Sequence, residues 1–300
     1  MPAVRRRFAI SPAFGSRDFT VSQHEFIDRP SDPGGKIAAG SNVGIANPVD
    51  LNGALPAAMV MGRKIHALDW DRVIDTIAGW AARGESRYVC LCNVHSVVTA
   101  ERHEGLRSAV DGADLALPDG LPIAISLRRA GFDDQPRIGG PDLMWRYCEH
   151  AAGAGESVYL FGSTEDTLRR LSEKLTSTFP GLRIAGTHSP PFRDLTPEEE
   201  AAFRDRIHAS GAQVVFVGLG CPKQEQFIAS QRGRLKAVAI GVGAAFDFHA
   251  GTVARAPHWM QRAGLEWLHR LASDPRRLAR RYFVTNTRFL LYMAGIGRTY

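Results

Sequence analysis

From about residue 57 onward, short apolar runs alternate with amphipathic stretches. The runs at 88–91, 115–117, 158–161, 183–185, 214–217 and 238–240 have the length and composition of buried strands. Between them, apolar residues at helical spacing predict helices over 71–83, 94–103, 120–130, 141–151, 165–178, 197–209 and 223–231. One start signal is especially clear. Thr196-Pro197 followed by three glutamates supplies a capping hydroxyl, a proline suited to the first turn, and negative charge against the helix dipole. Alternation of this kind predicts an α/β fold, a Rossmann-like, mainly parallel sheet with helices on both faces. Ligands of such sheets bind beyond the carboxyl ends of the strands.

The flanks differ from this middle. Of the 27 residues in 30–56, 16 are Gly, Pro, Ser, Asn or Asp without apolar period, so 1–56 reads as a disordered or loosely ordered arm. The α/β domain is expected over 57–254. Residues 255–300 read as a basic, amphipathic helical appendage: from 251 on, nine arginines face only Glu266 and Asp274, a net +7 that leaves the first 250 residues at −1 of the total +6. Trp259, Trp267, Leu268, Tyr282, Phe283 and Phe289 interleave with those arginines, a pattern suited to an anionic membrane surface or to a phosphorylated ligand. A solvated basic helix is the plain alternative.

At 300 residues with 44% hydrophobic composition, wholesale disorder and fibrous repeats are excluded. The longest stretch without a charged residue, 207–222, is 16 residues and includes His208, Ser210 and Gln213. That is short of the roughly 20 apolar residues of a membrane span. Arg5, Arg6 and Arg7 are not followed by the apolar core of a secretory signal, so a cytoplasmic chain is expected. Cys90, Cys92, Cys148 and Cys221 are too few and too irregular for a disulfide framework and read as reduced, mostly buried thiols.

Several places carry candidate chemistry. Val217-Gly218-Leu219-Gly220-Cys221-Pro222-Lys223-Gln224-Glu225 follows a predicted strand and opens a helix, where glycines and helix amides can receive a phosphate. Lys223 stands where a third glycine would complete a dinucleotide fingerprint, which is therefore unmet. Asp119, just past the strand 115–117, faces the expected crevice as a general base or serves as a turn residue in Pro-Asp-Gly. Asn93 either contacts a polar ligand or caps the next helix, and Arg137 is either a ligand contact or a surface residue. Asp69-Trp70-Asp71 has the spacing of a metal-binding pair, but its place before an amphipathic helix favours a cap. No histidine or cysteine cluster suggests a metal. Arg270, Arg277 and Arg280 are spaced to share a helix face as a diphosphate clamp, although Asp274-Pro275 should interrupt that helix.

Taken together, these segments resemble the bacterial WecG/TagA/CpsF glycosyltransferase family from about Gly62 to Tyr282. The resemblance rests on Asn93, Pro118-Asp119-Gly120, Arg137-Ile-Gly-Gly, Phe161-Gly, the glycine turn 217–225, Gly241-Val-Gly-Ala-Ala-Phe-Asp247, and the arginine-rich segment from Arg255 to Tyr282. It implies an inverting hexosyltransferase that moves a hexose or N-acetylhexosamine from a UDP-sugar to a polyprenyl-diphosphate-linked sugar at the inner face of the membrane. Surface or exported polysaccharide is the implied product. It also implies a base at Asp119, a polar contact at Gln224, a site role for Arg137, and basic contacts at Arg270, Arg277 and Arg280. Asn93, Gly218, Gly220 and Lys223 join these as candidate substrate contacts. The family often has Thr-x-Asn where this chain has Leu91-Cys92-Asn93, which bears on the donor sugar.

On this reading Asp119 takes the acceptor's proton, while helix amides and arginines, with no metal and no cofactor, receive the charge of the leaving nucleotide. Partners would be the UDP-sugar, the lipid-linked acceptor and the membrane, without nucleic acid; a homo-oligomer is left open. Two alternatives are a nicotinamide-dependent oxidoreductase, which lacks its glycine fingerprint, and a nucleic-acid-binding module using the basic tail.

Overall fold

The structure, a computed structural model, describes residues 55–296 with the exception of the Arg277 side chain. Apart from Leu55 and Pro56 the N-terminal arm therefore lies outside the described residues, as does any role of the Arg277 guanidinium.

The described chain begins with a hairpin, β1 (Ala57–Val60) and β2 (Arg63–His66), paired antiparallel across Met61 and Gly62. Both turn residues have positive φ, 48° and 71°, the backbone of a two-residue turn whose twist matches its strands. A methionine in the first of these positions hides the turn from sequence reading.

Then come α1 (Trp70–Ala82), β3 (Arg87–Cys92), α2 (Val94–Ala100), α3 (Glu104–Asp111), β4 (Leu115–Pro118), α4 (Leu121–Arg129) and α5 (Gly140–Ala154). The second half continues with β5 (Ser157–Gly162), α6 (Glu165–Thr178), β6 (Arg183–His188), α7 (Pro197–Ser210), β7 (Val214–Gly218), α8 (Lys223–Ser230), β8 (Val238–Gly241) and α9 (Ala245–His249). Three helices end it: α10 (His258–Arg262), α11 (Glu266–Ser273) and α12 (Pro275–Met293).

Strands β3 to β8 form one all-parallel sheet in the order β4-β3-β8-β7-β5-β6. Side chains alternate across it. Val89 and Leu91 of β3 join Val214 and Phe216 of β7 in one core, with α1, α5 and α6. Tyr88, Cys90 and Cys92 join Val215 and Val217 in the other, with α2, α3, α7 and α8. Burial on both faces explains why the inner strands read as continuous apolar runs, whereas the edge strand β6 is only partly buried. Cys90, Cys92 and Cys148 are buried free thiols and Cys221 is half-buried.

The caps behave as the sequence implies. Thr196 accepts from the Glu199 amide while the Glu199 side chain returns a bond to Thr196, a reciprocal cap. Asp69 caps α1 by accepting from the Arg72 amide at 2.8 Å. One expected helix is cut short: α2 stops at Ala100, three residues before the expected end, and a separate, unexpected α3, capped by His103, follows. As anticipated, Asp274-Pro275 separates α11 from α12. Leu278, Thr285 and Phe289 form the buried stripe of α12, and Phe289 joins the core that includes Val97 of α2.

Candidate active site

A cleft of about 1450 Å³ opens beyond the carboxyl ends of the strands. Its walls come from the turns after β3, β4, β5, β7 and β8 and from α11 and α12.

Asp119 sits on one wall because its amide donates to Cys92 O at 2.9 Å, tying the turn after β4 to the end of β3. Asn93 caps the next helix and also reaches the carboxylate beside it. Its Oδ1 accepts from the Ser96 amide at 3.1 Å and caps α2, while its Nδ2 donates to Asp119 Oδ2 at 3.2 Å. Burial pushes the Asp119 carboxyl above its usual range; Arg137, the Asn93 hydrogen bond and Arg270 pull the other way, and the Glu266 charge adds to the rise. No cation stands within ion-pair distance of it among the described residues.

The reason lies next door. Arg137 donates to Glu266 Oε2 at 2.6 Å and to Asp142 Oδ2 at 2.9 Å. Arg255 binds the same Asp142 at 2.8 Å and approaches Glu266 Oε1 at 3.6 Å, closing a ring of two arginines and two carboxylates. Burial raises the Asp142 carboxyl, but its bonds to Arg255 and the charges of both arginines outweigh this and hold it below the usual value. Gly139 makes the crowding feasible. A Cβ there would stand 3.2 Å from Arg137 Nη2, 3.3 Å from Asp119 Oδ1 and 3.4 Å from Asp142 Oδ2.

The glycine turn lines the opposite wall, with Gly218 and Gly220 in it. Gly220 has φ +79°, a conformation glycine adopts freely, and a Cβ on Gly218 would meet the Phe246 ring at 2.9 Å. The Gln224 amide donates to Gly220 O at 2.9 Å, so part of the first turn of α8 is already satisfied. Helices α4, α5 and α8 all begin at the cleft without a side-chain cap. Gln224 is buried: Nε2 donates to Glu225 Oε1 at 2.9 Å and Oε1 accepts from the Gly243 amide at 3.0 Å, linking the turns after β7 and β8. The Lys223 side chain is mostly exposed and pairs with Asp194 at 3.1 Å.

Of the expected clamp, Arg270 lines the cleft and lies over the Phe248 ring, 5.7 Å from its centroid. Arg280 is exposed and outside the cleft lining, whereas its neighbour Arg281 lines it. The geometry of α12 explains the exchange. Leu278, Arg281, Thr285 and Phe289 recur at helical spacing on the inward face, and Arg280 is about 100° away from Arg281.

Sequence reasoning assigned no role to Glu266, Asp142, Arg255, Arg281 or the buried Glu225. The available signals were an acid inside the apolar run Leu265-Glu266-Trp267 and the charged ends of segments 137–142 and 255–257. No group of three or more histidine, cysteine or acidic side chains able to hold a metal occurs among the described residues.

The model of the glycosyl transferase WecG/TagA/CpsF family matches residues 58–298, nearly the whole described chain. The protein belongs to that family. Membership makes it a glycosyltransferase of cell-envelope polysaccharide synthesis, acting in general on a sugar donor and a lipid-linked acceptor. It displaces the oxidoreductase and nucleic-acid alternatives. No described helix is long and apolar enough to cross a membrane.

Proposed function

We propose that this glycosyltransferase moves a hexose or N-acetylhexosamine from a UDP-sugar to a polyprenyl-diphosphate-linked sugar, with inversion at the anomeric carbon. Asp119 is the base. As the acceptor oxygen bonds to the anomeric carbon, its proton passes to the Asp119 carboxylate, and the bond from that carbon to the UDP oxygen breaks with its electron pair leaving on the diphosphate.

The observation that carries this reading is the state of Asp119: a carboxyl on the cleft wall with one neutral donor, Asn93, and raised proton affinity. A base needs a free lone pair and a pKa nearer the working pH than that of an ordinary aspartate. Arg270 and Arg281, with Arg277 in the same segment, meet the charge that develops on UDP. Gly218, Gly220 and the uncapped starts of α4 and α5 approach the phosphates and sugar with backbone amides. Metal-independent turnover is part of the proposal, so the rate should persist in EDTA.

The acceptor is met at the inner face of the cytoplasmic membrane. Trp259, Phe283 and Leu290 of the C-terminal helices are 60%, 76% and 67% exposed, large apolar surfaces beside Arg262, Arg280 and Arg288. That combination suits the boundary of an anionic bilayer. The test is incubation of the purified protein with a panel of UDP-sugars and a short-chain polyprenyl-diphosphate-sugar, read by mass spectrometry and by the anomeric configuration of the product. Transfer with inversion is expected; a retained configuration, or no transfer from any UDP-sugar, defeats the reading.

A further inference from the structure

A second, smaller cavity of about 220 Å³ adjoins the cleft, lined by Leu121, Arg137, His258, Gln261 and Arg262. Leu121 and Arg137 line the large cleft as well, so the two spaces share a wall. That wall is close to the base. Leu121 follows Asp119 by two residues, and Arg137 Nη2 and Asp119 Oδ1 both stand within 3.3 Å of the point where a Cβ on Gly139 would be.

The roof is held in place by packing. The turn between α10 and α11 contains Gly264, with φ +71°, and a Cβ there would fall 2.8 Å from Leu121 Cδ2. The turn is thus pressed onto Leu121, and α10 is brought over the start of α4.

Charge distinguishes this cavity from its surroundings. Arg137 and Arg255 each have carboxylate partners. His258 and Arg262 are exposed and make no ion pair or side-chain hydrogen bond among the described residues. Beside them stands Trp259, its ring largely in solvent. The cavity therefore offers a guanidinium without a carboxylate partner, and an imidazole beside it, to an anion.

We propose that this cavity holds the diphosphate of the lipid-linked acceptor, with Arg262 as its principal contact and His258 as a second. The inference rests on the glycosyl transfer proposed above. In such an acceptor the attacking hydroxyl and the diphosphate are carried on different carbons of one sugar ring. A hydroxyl held at Asp119 places the diphosphate one ring away, in the direction of Arg137 and Arg262. Donor and acceptor diphosphates then occupy separate places, the first facing Arg270 and Arg281 and the second facing Arg262, which keeps two like charges apart.

An anionic lipid headgroup offers the same phosphoryl chemistry as the acceptor, so the experiment separates them. Steady-state kinetics of wild type and Arg262→Ala are measured with a water-soluble short-chain prenyl-diphosphate-sugar, without vesicles, while UDP-sugar and acceptor are varied in turn. Arg262→Ala should raise KM for the acceptor roughly tenfold, the worth of about one charged hydrogen bond, and leave KM for the UDP-sugar unchanged. Inorganic pyrophosphate should inhibit wild type competitively against the acceptor at saturating UDP-sugar, and Arg262→Ala should weaken that inhibition. Arg262→Lys should restore part of the loss.

An acceptor KM equal to wild type in Arg262→Ala overturns the proposal, as does an equal loss toward both substrates. A defect that appears only with anionic vesicles and vanishes with the soluble acceptor makes Arg262 a membrane contact instead, and also overturns it. Absence of transfer by wild type would be the failure of the underlying glycosyl-transfer reading, and is distinguishable because it precedes any comparison of variants.

Discussion

Asp114 and Asp119 flank the same strand, β4, at its two ends. Asp114 Oδ1 accepts from Arg87 at 2.9 Å and from Arg232 at 2.8 Å, and its Oδ2 accepts from the Tyr88 amide at 3.0 Å. Its side chain is 3% exposed. Asp119 has a single side-chain partner, the neutral Asn93, and a cleft in front of it. Arginines are near both residues, but the one that acts most strongly on Asp119 is diverted: Glu266 and Asp142 hold Arg137. A carboxylate saturated with cationic donors is a clasp. One kept slightly hungry for a proton is fit for chemistry, and the acids that occupy the neighbouring guanidinium keep it so.

The comparison breaks most visibly in Asp119→Asn. Its kcat should fall by roughly 10² to 10⁴, the range for loss of a positioned base, with thermal stability near wild type and UDP binding retained. A turnover number equal to wild type would return Asp119 to the class of turn residues.

Asp114→Asn should do the reverse. Losing one charged partner of three donors is expected to cost about 2 kcal/mol in urea unfolding, toward the low end for charged hydrogen bonds because both guanidiniums stay partly in water. Turnover per folded molecule should be unaffected.

Glu266→Gln sharpens the contrast through pH. The Glu266 charge raises Asp119, so its removal, together with release of Arg137, should let Asp119 ionise at lower pH. The acidic limb of kcat/KM then moves to lower pH, and kcat drops by roughly tenfold, below the hundredfold that about 1 Å of misplacement can cost. If Glu266 served only to anchor α11, kcat would fall while the limb stayed in place.

The mildest perturbation is Gly139→Ala. Its φ of −89° suits any residue, so the only obstacle is the contact of the new methyl with three side chains at 3.2 to 3.4 Å. A loss of about 1 kcal/mol in stability and a few-fold loss in turnover are expected. A crystal structure of the variant should show Arg137 and Asp119 moved apart by a few tenths of an ångström.

Much of this arrangement was legible because its signals are local. Strands buried on both faces leave unbroken apolar runs, and the start of α7 is written in five consecutive residues. The strand ends also delivered Asn93, Asp119 and the glycine turn to one cleft, as parallel sheets do. What escaped has a common cause. Arg137 and Glu266 are 129 positions apart, and such a pairing leaves no period in the sequence. Arg280 and Arg281 are adjacent in composition but not on the surface of a helix, and only the packing of Leu278 and Phe289 decides which one turns inward. The hairpin of β1 and β2 carries mixed residues such as Arg63, Lys64 and His66, too polar to announce a strand.

Asn93 places a constraint on how this enzyme can vary. One amide group begins a helix with its oxygen and steadies a carboxylate with its nitrogen, so neither task can be altered alone. Aspartate at this position would preserve the start of α2 but set a second negative group against the first. Serine would keep an oxygen for the helix and withdraw the reach toward Asp119. Tolerance at residue 93 is thus set by the overlap of two demands, and asparagine, which carries an acceptor and a donor on one short rigid plane, lies within it.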